Sequence, residues 1–196
     1  MNSQQYSRAN KRVFLAVIIV FAYIAFTLFA AFGIKDADTT RIIIQLVAAI
    51  AVMVISIIAF ITKRDSRTGA LMMVSAMTAG YFIIALFNLT IGTWTYAIPL
   101  VIAAMIYLDI KMMMVMNAVI IISSVIRLVM QLGIGGTALQ NDVIAVFVLI
   151  LVGYASDSIT ILLTHFFDEN MDEIKESSMA QVDSNKKMVI VAENIS

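Results

Sequence analysis

Runs of about 20 apolar residues, the length a helix needs to cross a bilayer core of roughly 30 Å, recur along the chain from Val13 onward. The first covers Val13 to Ile34, the second Ile42 to Thr62 and the third Ala70 to Ile91. The fifth covers Met112 to Leu132 and the sixth Val143 to His165. The fourth, Trp94 to Leu108, is short and contains the single proline, Pro99, so a tilt, a kink or extended ends are expected there.

Of 196 residues, 62% are hydrophobic and 13% charged, with a mean hydropathy of +0.98. A soluble domain of this size cannot hide that much apolar surface, so lipid is the expected solvent. The expected fold is all-α, a polytopic bundle of six transmembrane helices followed by a cytoplasmic helix. Its divisions are an N-terminal tail (1–12), the six-helix membrane domain (13–165) and the exit helix (166–196).

Basic residues set the expected orientation, because cytoplasmic loops retain Lys and Arg. Arg8, Lys11 and Arg12 precede the first run, Lys63, Arg64 and Arg67 follow the second, and Lys111 precedes the fifth. The opposite loops hold Lys35 and Arg41 offset by Asp36 and Asp38, an uncharged turn at Gly92, and Gly133 to Asp142 with one acid and no base. The chain is thus expected to be a multi-pass protein of the cell membrane with both termini cytoplasmic. The first run exceeds a signal peptide's 7–15 apolar residues and reads as an uncleaved anchor. Trp94 and Tyr96 suit the outer interface, and Asn141 and Asp142 suit the N-cap of the sixth helix. The outer loops are too short for a folded ligand-binding domain.

Several chemistries are excluded or disfavoured. Without cysteine there are no disulfides or thiolate sites, and zero net charge argues against nucleic acid. No phosphate loop, nucleophile elbow, metalloprotease motif or dinucleotide fingerprint is present, so no enzyme activity and no cofactor are expected. The methionines at 112, 113, 114 and 116 read as packing rather than soft-metal ligands. The sequon Asn88-Leu89-Thr90 lies too close to the membrane to weigh. Ser75, Ala76, Ala79 and Gly80 permit close helix approach.

Charges inside membrane helices are costly, by about 2.5–3.5 kcal/mol on insertion scales, and each is a candidate site. Arg127, Tyr154, Asp157 and His165 are the candidate polar or signalling residues. At helical spacing Asn117, Ser124, Arg127 and Gln131 share one face, and Tyr154, Asp157, Ser158, Ile161 and His165 share another. Two such stripes on antiparallel neighbours suggest a hydrogen-bonded interior. Depth argues against a direct Arg127–Asp157 pair, since at about 1.5 Å per residue the two backbones differ by about 12 Å. Arg127 is expected to reach outward toward Asp142 and Asp157 inward, each solvated at its own interface. His165, alone of its type, reads as interfacial rather than as a metal ligand.

From His165 the chain turns charged, as HFFDENMDEIKESSMAQVDSNKKMVIVAENIS, with no Pro or Gly. With Phe167 at a d position, the coiled-coil seam takes Met171, Ile174, Ser178, Gln181, Asn185, Met188, Ala192 and Ile195. The apolar run Met188 to Ala192 suggests that the helix continues past Ser196. Six apolar runs followed by "FFDENMDEIKESSMAQ" and "NKKMVIVAENIS" resemble the membrane-anchored front end of a bacterial methyl-accepting chemotaxis protein. The resemblance is specific over about the last 30 residues. It implies a homodimer or higher homo-oligomer in which the last membrane helix passes a conformational change to a cytoplasmic coiled coil. A downstream hairpin would bind the chemotaxis kinase and its coupling protein. The family's large periplasmic domain and the proline of its usual linker are missing. A small six-span transporter or channel is the alternative from another class.

Overall fold

The computed structural model describes residues 2–33, 38–88, 92–132 and 136–195, the last seven as backbone only. All elements among these residues are helical: α1 (Ser3–Ala31), α2 (Thr39–Lys63), α3 (Arg67–Phe87), a 3-10 turn (Thr93–Tyr96), α4 (Ala97–Met105), α5 (Ile110–Gln131) and α6 (Gly136–Ile195). The chain divides into two compact units, Met1–Thr160 and Ile161–Ser196. The expected loop charges Lys35 and Asp36, part of the sequon, and Gly133 fall outside the described residues.

Side-chain caps start α2, α3 and α5 within three residues of their apolar runs, and α1 ten residues ahead of its run. Asn2 accepts from the Gln5 amide and Gln5 returns a bond to the Asn2 amide, a reciprocal cap that satisfies two first-turn donors. The side chains of Asp38, Ser66 and Asp109 cap α2, α3 and α5 by accepting from the backbone N–H groups of Arg41, Gly69 and Met112. Residues 3–12, expected as a tail, therefore belong to α1, and Ala9 and Asn10 are buried.

In the first unit, α3 packs against α1, α2, α4 and α5. α1 contributes Val13, Val17, Phe21, Ile24 and Leu28 to the core, a stripe spaced by three and four residues. Its other apolar residues stay outside: Phe26 is 72% exposed and Phe29 70%. Helices apolar all round with one buried stripe suit lipid as solvent. Close approach depends on Gly80 of α3, where a Cβ would overlap Val52 of α2 and press on Phe21 of α1.

Five helices, α1, α2, α3, α5 and α6, are long and apolar enough to cross a membrane. The expected fourth span is shorter than the reading allowed, because the 3-10 turn and α4 together cover only Thr93–Met105. Pro99 does not interrupt α4. It occupies the first turn of α4, where its missing N–H leaves no bond unmade. Asn141 and Asp142 do not cap α6, which begins at Gly136; Asp142 is drawn inside the helical stretch by a partner on α5.

Candidate functional site: two polar contacts inside the bundle

α5 supplies a polar stripe on a buried face. Asn117, Ser124, Arg127 and Gln131 are all buried, as the helical spacing required. On α6 the buried face differs from the one expected: it carries Asp142, Ala145, Leu149, Ser156 and Thr160. The steps of three and four residues from Asp142 pass between Tyr154 and Ser158. Tyr154 is 75% exposed and takes no part in the interior, because Ser156 and Thr160 define the inward line.

The two stripes meet at two places. About a third of the way along α5, the Asn117 amide donates to Asp157 Oδ1 at 2.8 Å and to Ser156 Oγ at 2.9 Å. Ser156 in turn donates to the Gly153 carbonyl at 2.9 Å, and Thr160 donates to the Ser156 carbonyl at 2.7 Å. Asp157 is therefore held by a neutral amide. Arg127 lies ten residues further along α5, roughly 15 Å away along the axis, too far for an Arg127–Asp157 ion pair.

At the other place, Arg127 Nε lies 2.9 Å from Asp142 Oδ1, and Arg127 Nη1 donates to the Asn88 carbonyl at 2.6 Å. The expected direction, toward Asp142, matches this contact. Solvation does not: the side chains are only 8% and 2% exposed. Desolvated charges need each other and further dipoles, and the Asn88 carbonyl at the end of α3 supplies one. Neither carboxylate oxygen of Asp142 receives an aligned hydrogen bond among the described residues. Tyr81, Trp94 and Ser124 join the pair around a cavity of about 10 Å³, about the smallest that admits one water. The Tyr81 hydroxyl and Trp94 indole N–H meet no hydrogen-bond partner among the described residues. A site this small selects for charge and hydrogen bonding and excludes an organic ligand.

A third polar node, at the basic end of the bundle, was not anticipated. Asn10 is fully buried. Its amide donates to the Arg64 carbonyl at 2.6 Å and the Ser66 carbonyl at 3.2 Å, and its oxygen accepts from the Tyr107 hydroxyl at 2.8 Å. One side chain thus ties α1 to the α2–α3 turn and to the α4–α5 connection. That connection contains Leu108 at φ 51°, a left-handed conformation strained for a residue with a Cβ. Asp109 follows, pairing with Arg67 Nη2 at 2.7 Å. Burial would raise the Asp109 carboxyl, but hydrogen bonds from Arg67 and Met112 N–H, with the Arg67 charge, outweigh it and hold the group below its ordinary value. Sequence signal for Asn10 is absent, since it stands between Arg8 and Lys11 as a tail residue would.

In the second unit His165 contacts Glu169 at 3.2 Å, one turn on, and both are exposed. The seam residues Phe167, Met171, Ile174 and Met188 are each about half exposed or more; the Ile195 side chain lies outside the described residues. Among the described residues no cluster of His, Asp or Glu suits a metal ion. Of the candidates, Arg127 and Asp157 are engaged inside the bundle, whereas Tyr154 and His165 stand apart from them. Comparison with family models, with curated proteins and with solved structures returns no match.

Proposed function

We propose that this chain is the membrane-embedded input module of a signal-transducing receptor of the chemotaxis type, acting without catalysis. The observation that carries the reading is α6, whose helix is assigned without interruption from Gly136 to Ile195. A relay needs an element that links input to output, and helix on both sides of the boundary between Thr160 and Ile161 is what supports that reading. Phe167, Met171, Ile174 and Met188, each about half exposed or more, give two copies apolar contacts at the ends of a seam whose middle is Ser178, Gln181 and Asn185, and the working form in this reading is a homodimer or higher homo-oligomer. Kinase and coupling protein would engage the downstream hairpin that the resemblance implies.

Six crossings with cytoplasmic ends belong to the same proposal. The fourth is short, yet Trp94 shares a cavity with Arg127 and Asp142 while Tyr107 bonds Asn10 at the opposite, basic end. That end carries Lys63, Arg64, Arg67 and Lys111, which the charge rule assigns to the cytoplasm. Transport has less support, because its usual broken helices have no counterpart at Pro99, Arg127 is paired with Asp142, and Asp157 is held by the Asn117 amide. The test fuses the chain to the kinase-controlling half of a chemoreceptor. Two glycines inserted after Phe167 are expected to abolish kinase control while membrane insertion persists; unaltered control in that variant overturns the relay.

A further inference from the structure

Between α3 and α5 a groove of about 700 Å³ opens on the outside of the first unit. Ser75 and Ala79, small and exposed, give it depth on α3, and Val115 and Val119 form the facing wall on α5. From Arg67 to Ile83 it follows α3 for roughly 24 Å of helix axis. Along this length its lining is apolar apart from the hydroxyls of Ser75 and Thr78, and its charges stand at one end, Arg67 and Lys111.

Both helices are long and apolar enough to cross a membrane, so the body of the groove adjoins hydrocarbon and its basic end adjoins the headgroup layer. A long apolar slot with two cations at the interface matches an amphiphile with one acyl chain inside and an anion at the mouth. Arg67 engages Asp109 through Nε and Nη2 only, leaving Nη1, and its side chain is 58% exposed. Lys111 is exposed and makes no ion pair among the described residues. The surrounding segments, residues 8–12, 63–67 and 109–111, hold seven basic residues against Asp65 and Asp109, so the local field favours an anion.

We propose that this groove binds one anionic phospholipid, its acyl chain along Ser75 and Ala79 and its phosphate between Arg67 and Lys111. The site depends on the bundle alone and stands apart from the signalling reading.

The test uses the full chain in neutral detergent, with phosphatidylglycerol or phosphatidylcholine of matched chains added, and native mass spectrometry to count retained lipid. Phosphatidylglycerol is expected to bind roughly thirtyfold more tightly, the product of two basic contacts at the headgroup. Lys111→Gln, which disturbs no ion pair, is expected to remove part of that preference, and Arg67→Gln/Lys111→Gln nearly all of it. Ala79→Phe is expected to weaken both lipids by filling the slot. Equal retention of the two lipids by the native chain, or full selectivity in the double variant, overturns the proposal. So does an Ala79→Phe chain that loses a dimer while lipid binding is unchanged, which would assign the groove to a second copy. Inorganic phosphate that competes as well as the lipid would also overturn it, because the chain-binding slot would then contribute nothing.

Discussion

Arg127 and Asp142 face each other across α5 and α6 at 2.9 Å, with 8% and 2% of their side chains exposed. Removing one partner leaves a desolvated charge, which typically costs 3–5 kcal/mol, whereas replacing both by apolar side chains of similar volume is often neutral or stabilising. Arg127→Met and Asp142→Leu are each expected to destabilise the bundle by about 3 kcal/mol, and the double variant by much less than the sum. A double-mutant cycle on unfolding in mixed micelles reads the coupling. Additive losses would show that the two side chains do not depend on each other.

Asn10 serves three segments through one amide, so its removal should be felt at all of them. Tyr107→Phe deletes one donor to a fully buried oxygen and is expected to cost about 1–2 kcal/mol. Asn10→Leu leaves the Arg64 and Ser66 carbonyls without their donor and is expected to cost more. Amide exchange at residues 63–67 checks the mechanism, since only Asn10→Leu should speed exchange there beyond the global loss of stability.

The five helices long and apolar enough to cross a membrane were legible because lipid imposes a length and an apolar composition that the sequence states directly. Stripe periodicity also placed Asn117, Ser124, Arg127 and Gln131 on one buried face of α5. The same reasoning failed on α6, where Tyr154 and Asp157 are three residues apart and only Asp157 turns inward. Composition cannot tell which of two overlapping polar lines meets a neighbour; Asn117 decides it, by bonding Ser156 and Asp157. Asn10 was invisible for a different reason. A lone Asn among basic residues reads as solvated until the α2–α3 turn and Tyr107 are brought to it, contacts that are 54 to 97 residues distant in sequence.

Asp109 links stability to pH with a definite sign. Its carboxyl is held below the ordinary value of 3.8 in the folded chain, so the stabilisation is fully present above that value. It is lost as the pH falls through the folded-state value. The native chain in detergent is expected to lose thermal stability on acidification below about pH 4. Arg67→Gln should lose less over the same interval, since the Arg67 hydrogen bonds and charge are gone and only backbone N–H groups such as that of Met112 still depress the carboxyl. Identical acid profiles for the two proteins would place the acid sensitivity elsewhere.

Gly80 sets two effects of opposite sign against each other. Replacing a helical glycine by alanine favours the helix by about 1 kcal/mol. The new Cβ, however, would overlap Val52 and lie 3.1 Å from the Phe21 ring, and overpacking of this kind costs about 1–3 kcal/mol. Val52 is β-branched and stiff at χ1, so it cannot swing aside without moving α2. Overpacking should therefore win, and Gly80→Ala is expected to destabilise the bundle. Val52→Ala in the same chain removes the colliding methyl groups and should recover part of the loss. Gly33→Ala is the control, because among the described residues its Cβ would meet nothing closer than the Ala30 carbonyl at 3.5 Å. A Gly80→Ala chain as stable as the parent in the same micelles would mean that α2 and α3 are free to separate there.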